Sequence, residues 1–107
     1  MKNTLIKVSG ELVKLPDGEL SLEQMYAAIG CDTVEHVGIG EGASLWCDEN
    51  GLAVAMPVLN RKATMLYRSA YEDRLGAADL AELAIVGNAI FSYSKARLAK
   101  QLEALGK

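Results

Sequence analysis

The stretch from Leu45 to Tyr67, LWCDENGLAVAMPVLNRKATMLY, limits the fold of this chain more than any other part. Asn50-Gly51 between β-prone runs is a strong hairpin signal, because a type I′ turn needs φ > 0 at both central positions. It predicts a strand over 43–48 and a return strand from Leu52 to about Met56. Leu45 and Cys47 fall on one face of the first strand, and Ser44, Trp46 and Asp48 on the other. Pro57 has no N–H and ends the pairing. Asn60 then reads as an N-cap, followed by Ala63, Leu66, Tyr67 and Ala70 at helical spacing. This predicts a helix over 61–74 that stops at Gly76, with Arg68 and Glu72 as a solvent-side i, i+4 pair.

Upstream, residues 4–8 and 11–15 are short β-prone runs around Ser9-Gly10, consistent with a small hairpin or one bent strand. Ser21 and Gln24 form a capping box, and Leu22, Met25, Tyr26 and Ile29 make an apolar stripe that Gly30 terminates, so a helix is expected at 22–29. Residues 33–39 read as a strand in which Val34 has the opposite parity to Val37 and Ile39. Either a bulge intervenes or both faces are covered. Downstream, Asp79 with Glu82 imitates a second capping box, whereas Ile85-Val86 and Ile90-Phe91 around Gly87-Asn88 favour β structure over 83–92. Residues 94–105 are expected to be helical, with Leu98, Leu102 and Leu105 on one side.

At 107 residues the chain is one domain, 1–107, large enough for an apolar core without metal or disulfide staples. Its 50% hydrophobic and 23% charged residues are ordinary globular composition. A net charge of −3 lacks the basic footprint of a general nucleic-acid binder. No apolar run approaches the ~18 residues a membrane span needs, and residues 1–19 lack the apolar core of a signal peptide. A cytoplasmic protein is expected. Cys31 and Cys47 are far apart in sequence and, with the single His36, do not make a usual zinc set, so reduced thiols packed as small hydrophobes are expected. No metal or cofactor is expected.

Two groups of residues resemble a known family when taken together. The first is Leu22-Glu23-Gln24-Met25, Ile29-Gly30 and Val34-Glu35-His36-Val37. The second is Asp48-Glu49-Asn50-Gly51, Pro57, Asn60 and Ala63-Thr64. They resemble a family of small proteins of unknown function found largely in phages, prophages and mobile elements, over about residues 15–92. The family's paired glycine is here Gly30 followed by Cys31, and its late segment matches only through Val86-Gly87. The helix after residue 93 has no counterpart in it. The resemblance implies a phage-encoded accessory factor acting inside a bacterium, against a host component.

Several side chains are candidates for chemistry. Asp48, Glu49 and Asn50 cluster three oxygen-bearing groups that could hold Mg²⁺ or Ca²⁺, although a turn needs the same residues. Asn60, Arg61, Lys62 and Thr64 start a helix, where free N–H groups and two cations suit an anion or phosphate. The cations stand against the helix dipole, so an acidic group is expected nearby: Glu49 or Asp48 of the same chain, or a ligand phosphate. Trp46 could stack a base or anchor a partner, or pack beneath a helix. Glu35 and His36 are neighbours on a strand and point to opposite faces. Catalysis by Cys31 or Cys47 with His36 rests on nothing beyond their coexistence, and no catalytic residue is assigned.

These readings define an α+β domain: a mostly antiparallel sheet of about five short strands, two helices on one face and a C-terminal helix. The expected function is non-enzymatic binding and neutralisation of a host component, such as a defence protein or a nucleotide signal. The binding candidates are Trp46, Glu49, Asn60, Arg61, Lys62 and Thr64. The alternatives are a nucleotide- or phosphate-binding protein, or weak nucleotide enzyme, using the Asn60 helix start and the Asp48–Asn50 turn. A third is a homodimer built through Leu98, Leu102 and Leu105.

Overall fold

Five short strands pair into one antiparallel sheet whose centre is made by the strand latest in the chain. The computed structural model describes residues 1–40, 42–53, 56–94 and 96–104. The strands are β1 (Lys2–Ile6), β2 (Leu12–Leu15), β3 (Val34–Gly38), β4 (Ala43–Asp48) and β5 (Ala89–Tyr93), in the order β2-β1-β5-β4-β3. Residues 4–8 and 11–15 do form a hairpin, in which Thr4 opposes Lys14 and Gly10 turns the chain with φ 94°. Four helices accompany the sheet among the described residues: α1 (Leu22–Ile29), α2 (Arg61–Tyr71), α3 (Ala77–Glu82) and α4 (Ala96–Ala104).

Helix α1 has the expected bounds because both its ends are closed by local chemistry. Ser21 Oγ accepts from Gln24 N at 3.1 Å, and Gln24 Oε1 accepts from Ser21 N at 2.8 Å. At the other end Gly30 adopts φ 86° and donates to the Tyr26 carbonyl.

The two main helices lie on opposite faces of the sheet, not on one. Met25 and Ile29 of α1 pack with Leu20, Leu5 and Ile90. Ala63 and Leu66 of α2, with Leu102 of α4, pack on Ile6, Leu45, Cys47 and Phe91. The alternating inward residues of β4 and β5 supply both cores, which is why a single amphipathic period could not place the helices. The parity of β3 has the same cause: Val34 borders the α1 core, and Val37 and Ile39 border the α2 core.

The return strand after Asn50-Gly51 is not formed over the described residues 51–53, which make a turn of 3₁₀ helix; Val54 and Ala55 lie outside the described residues. Both edges of β4 are already taken, by β3 and β5, so a hairpin partner has no edge to join. Gly51 has no positive φ. It is needed for closeness instead, since a Cβ there would stand 2.7 Å from Val86 Cγ2.

The region after α2 also departs from expectation. The helix ends at Tyr71, and α3 starts at Ala77 behind Gly76 rather than at Asp79. Of the expected 83–92 strand only the part from Ala89 pairs in the sheet. Backbone groups before it bond elsewhere: Asn60 N donates to the Ile85 carbonyl and Gly87 N to the Val58 carbonyl. Arg68 does not pair with Glu72. Its Nε donates to the Leu83 carbonyl at 2.9 Å and Nη2 to the Ala81 carbonyl at 3.0 Å, which ties α3 to α2. In α4, Leu102 is buried and Leu98 half-buried against the α2-side core, whereas Leu105 lies outside the described residues.

Candidate functional site

The start of α2 is set by one side chain. Asn60 is fully buried, and its Oδ1 accepts from Ala63 N at 3.1 Å. Its amide group donates twice, to the Ile6 carbonyl at 2.8 Å and the Gly87 carbonyl at 2.9 Å. Thr64, also buried, accepts from Ile85 N at 2.9 Å. Both side chains therefore hold β1, α2 and the 85–87 segment together and face no solvent.

The neighbouring cations do face solvent. Arg61 is exposed, and Lys62 crosses to the β1–β2 turn, where Nζ donates to the Gly10 carbonyl at 2.6 Å. That contact brings Lys7, Val8 and Ser9 beside the helix. With Arg61, Lys62 and Met65 they line a groove of about 400 Å³. Lys7 pairs with Glu11 at 3.1 Å, whereas among the described residues neither Asp48 nor Glu49 makes an ion pair with Arg61 or Lys62. A second groove, of about 290 Å³, is also bordered by Val8 and is lined by Met56, Val58, Val86, Gly87 and Asp48. Val8 belongs to both, so the grooves adjoin.

Arg61 and Lys62 occupy the first turn of α2, where the positive end of the helix dipole disfavours them. Arg61→Glu is therefore expected to stabilise the fold by about 0.5 kcal/mol, read as a small rise in the midpoint of urea denaturation.

The remaining candidates are elsewhere. Trp46 is half-buried on the α1 face, its ring tilted against His36 with centroids 4.7 Å apart, and it borders a separate cavity with Met1, Met25 and Ser92. Glu49 is exposed in the turn after β4. Asp48 Oδ1 accepts from Asn50 N at 2.9 Å and Asn50 Nδ2 donates to Thr33 Oγ1 at 3.0 Å, so two of the three turn side chains close the turn. Among the described residues no group of three or more His, Cys, Asp and Glu side chains is placed to hold a metal ion. The site thus unites Arg61 and Lys62 with Lys7, Val8, Met56, Val58 and Met65, which sequence reasoning did not single out. In the sequence, the only hint of Met56 and Val58 is their position on either side of Pro57.

The thiols lack a base. Cys47 points to the α2 face, whereas His36 sits with Trp46 on the other face and meets Ser44 Oγ at 2.7 Å. Burial, with Glu35 and Asp48 nearby, pushes the Cys47 thiol up to about 11, and burial also raises Cys31. At pH 7.5 iodoacetamide is expected to modify Cys31 slowly and to leave Cys47 untouched until the protein is unfolded. Peptide mapping after timed alkylation checks this; equal labelling of both thiols in the native protein would contradict it.

The geometry defines a class: a small α+β domain with an antiparallel sheet between helices and a solvent-facing, partly apolar and partly cationic pair of grooves. The chain belongs to the family described as Domain of unknown function (DUF3846), whose model matches residues 1–98. That match runs beyond the 15–92 of the motif resemblance at both ends and takes in the start of α4. No curated protein and no solved structure matches the chain significantly. Among the described residues no helix is long and apolar enough to cross a membrane.

Proposed function

We propose that the protein is a non-enzymatic phage or mobile-element accessory factor that binds and neutralises a host protein in the bacterial cytoplasm. One observation carries the binding part of this reading. Four of the eight exposed large apolar side chains among the described residues, Val8, Met56, Val58 and Met65, line the two adjoining grooves. Scattered exposed apolar residues need no explanation, but a cluster of them on concave surface is typical of docking sites. The phage context rests on the motif resemblance. The test is affinity capture from host lysate with the native protein and with Val58→Asp, an exposed substitution that leaves both cores intact. A host protein retained by the first and lost by the second supports the reading; identical eluates overturn it.

A second reading, binding of a nucleotide or other phosphate ligand, is favoured by Lys7, Arg61 and Lys62 lining one groove. It expects a thermal shift with nucleotides that Arg61→Ala reduces; no shift with any nucleotide removes it. A homodimer through the last helix has less behind it, since Leu102 is already buried in its own core.

A further inference from the structure

The proposed docking surface has a polarity, and that polarity restricts what can occupy it. Its apolar members run from Met65 through Val8 to Val58 and Met56, across both grooves. Its cations are all on one side: Lys7, Arg61 and Lys62 line the groove that contains Met65, and none lines the groove that contains Met56. This grouping occurs in a chain whose net charge is −3, so it is a local feature and not a general basic character. The acidic groups at hand are Glu11, paired with Lys7, and Asp48, which lines the groove of Met56 and is engaged with Asn50. Arg61 has no ion pair among the described residues and stands against the dipole of its own helix.

Resting on the docking reading above, we infer that this surface takes an acidic polypeptide segment with apolar anchors. An aliphatic or aromatic side chain of the partner seats in the groove of Met56, Val58 and Val86. Carboxylates lie over Arg61, Lys62 and Lys7, where one can displace Glu11 from Lys7. Charge complementarity sets the orientation, since the reverse placement sets acid against Asp48 and an apolar side chain against three cations. A basic or neutral segment gains only the apolar half of the surface.

Nuclear magnetic resonance titration of the ¹⁵N-labelled protein tests this, because it detects weak binding and reports its location. The probes are three synthetic peptides of one amphipathic pattern, with Leu and Phe on one face and Glu, Gln or Lys on the other. The Glu peptide is expected to shift the amides of Lys7–Gly10, Val58 and Met65, and to bind about tenfold tighter than the Gln peptide at low salt. Raising the salt to 0.5 M should remove most of that difference. Arg61→Glu should weaken the Glu peptide without loss of stability, Val8→Asp should weaken all three, and Arg74→Glu, past the far end of α2 and lining neither groove, should change nothing.

Equal binding of the Glu, Gln and Lys peptides overturns the acidic assignment while leaving the apolar docking surface standing. Displacement of the Glu peptide by inorganic phosphate or a nucleotide overturns it in favour of a phosphate site. No binding of any peptide, beside a host protein whose capture depends on Val58, overturns this inference and spares the docking reading. No peptide binding and no Val58-dependent capture removes both.

Discussion

Asn60→Ala is expected to lower the stability of the protein by about 3–4 kcal/mol, the sum of a lost N-cap and two buried carbonyls left short of a donor. For a domain of this size that is roughly a 15–20 °C fall in melting temperature, and a large share of the stability such a domain has. The size follows from the position. Asn60 is fully buried, and its one side chain caps α2 and bonds the carbonyls of Ile6 and Gly87. Asn60→Asp separates these roles, because a carboxylate keeps the capping oxygen and loses both donors. Burial and the two facing carbonyls disfavour its charge, so its pKa in the folded state rises above the unfolded value of about 3.9. A group raised in this way supports the fold at low pH and loses that support as pH climbs through the folded pKa. Relative to the native protein, Asn60→Asp should therefore be less damaging at pH 4.5 than at pH 7.5. Urea denaturation at the two pH values checks both the size and the sign; a pH-independent loss would show that the amide donors matter little.

Phe91→Ala should be at least as severe, at about 3–5 kcal/mol. Phe91 is fully buried in the central strand, stacked on Tyr93 with ring centroids 5.0 Å apart, and it packs with Leu45 and Leu66 in the α2-side core. Removing it opens a cavity between a sheet and a helix that are each tied elsewhere, so collapse around the gap is restricted. Phe91→Leu keeps most of the volume and should cost about 1–1.5 kcal/mol. Equilibrium denaturation separates the two variants: the midpoints should fall in that order while the slope with denaturant stays constant. A Phe91→Ala midpoint close to that of the native protein would mean that the α2-side core is looser than its burial indicates.

What the sequence disclosed, it disclosed through local chemistry. The capping box of Ser21, the left-handed Gly30 and the cap at Asn60 each act within a few residues, and the elements they delimit were read with their starts in place. The alternation of β4 is equally local, and it appears in the structure as strict in-and-out burial. That the described residues 51–53 turn as 3₁₀ helix instead of starting a return strand was not legible, because it depends on β5 taking the edge of β4 from some 40 residues downstream. The same distance hides the site. Arg61 and Lys62 could be suspected from the helix start, but Lys7 and Val8 reach them only because the β1–β2 turn folds across and Lys62 holds Gly10. Asn60 and Thr64 looked like surface residues for the opposite reason: their partners, at Ile6 and Ile85, are set by tertiary packing.

The position of β5 carries a consequence for how such a chain is made. The strand that joins the two halves of the sheet is the last to leave the ribosome. Until residue 93 has emerged, β1–β2 and β3–β4 are separate hairpins, each with bare edges and each too small to persist in water. Folding therefore waits for nearly the whole domain to be synthesised, and the nascent chain needs protection from aggregation during that interval. The family match closes at residue 98, a few positions beyond the strand that completes the sheet. A gene truncated before Ala89 would leave neither hairpin a partner and yield no native protein.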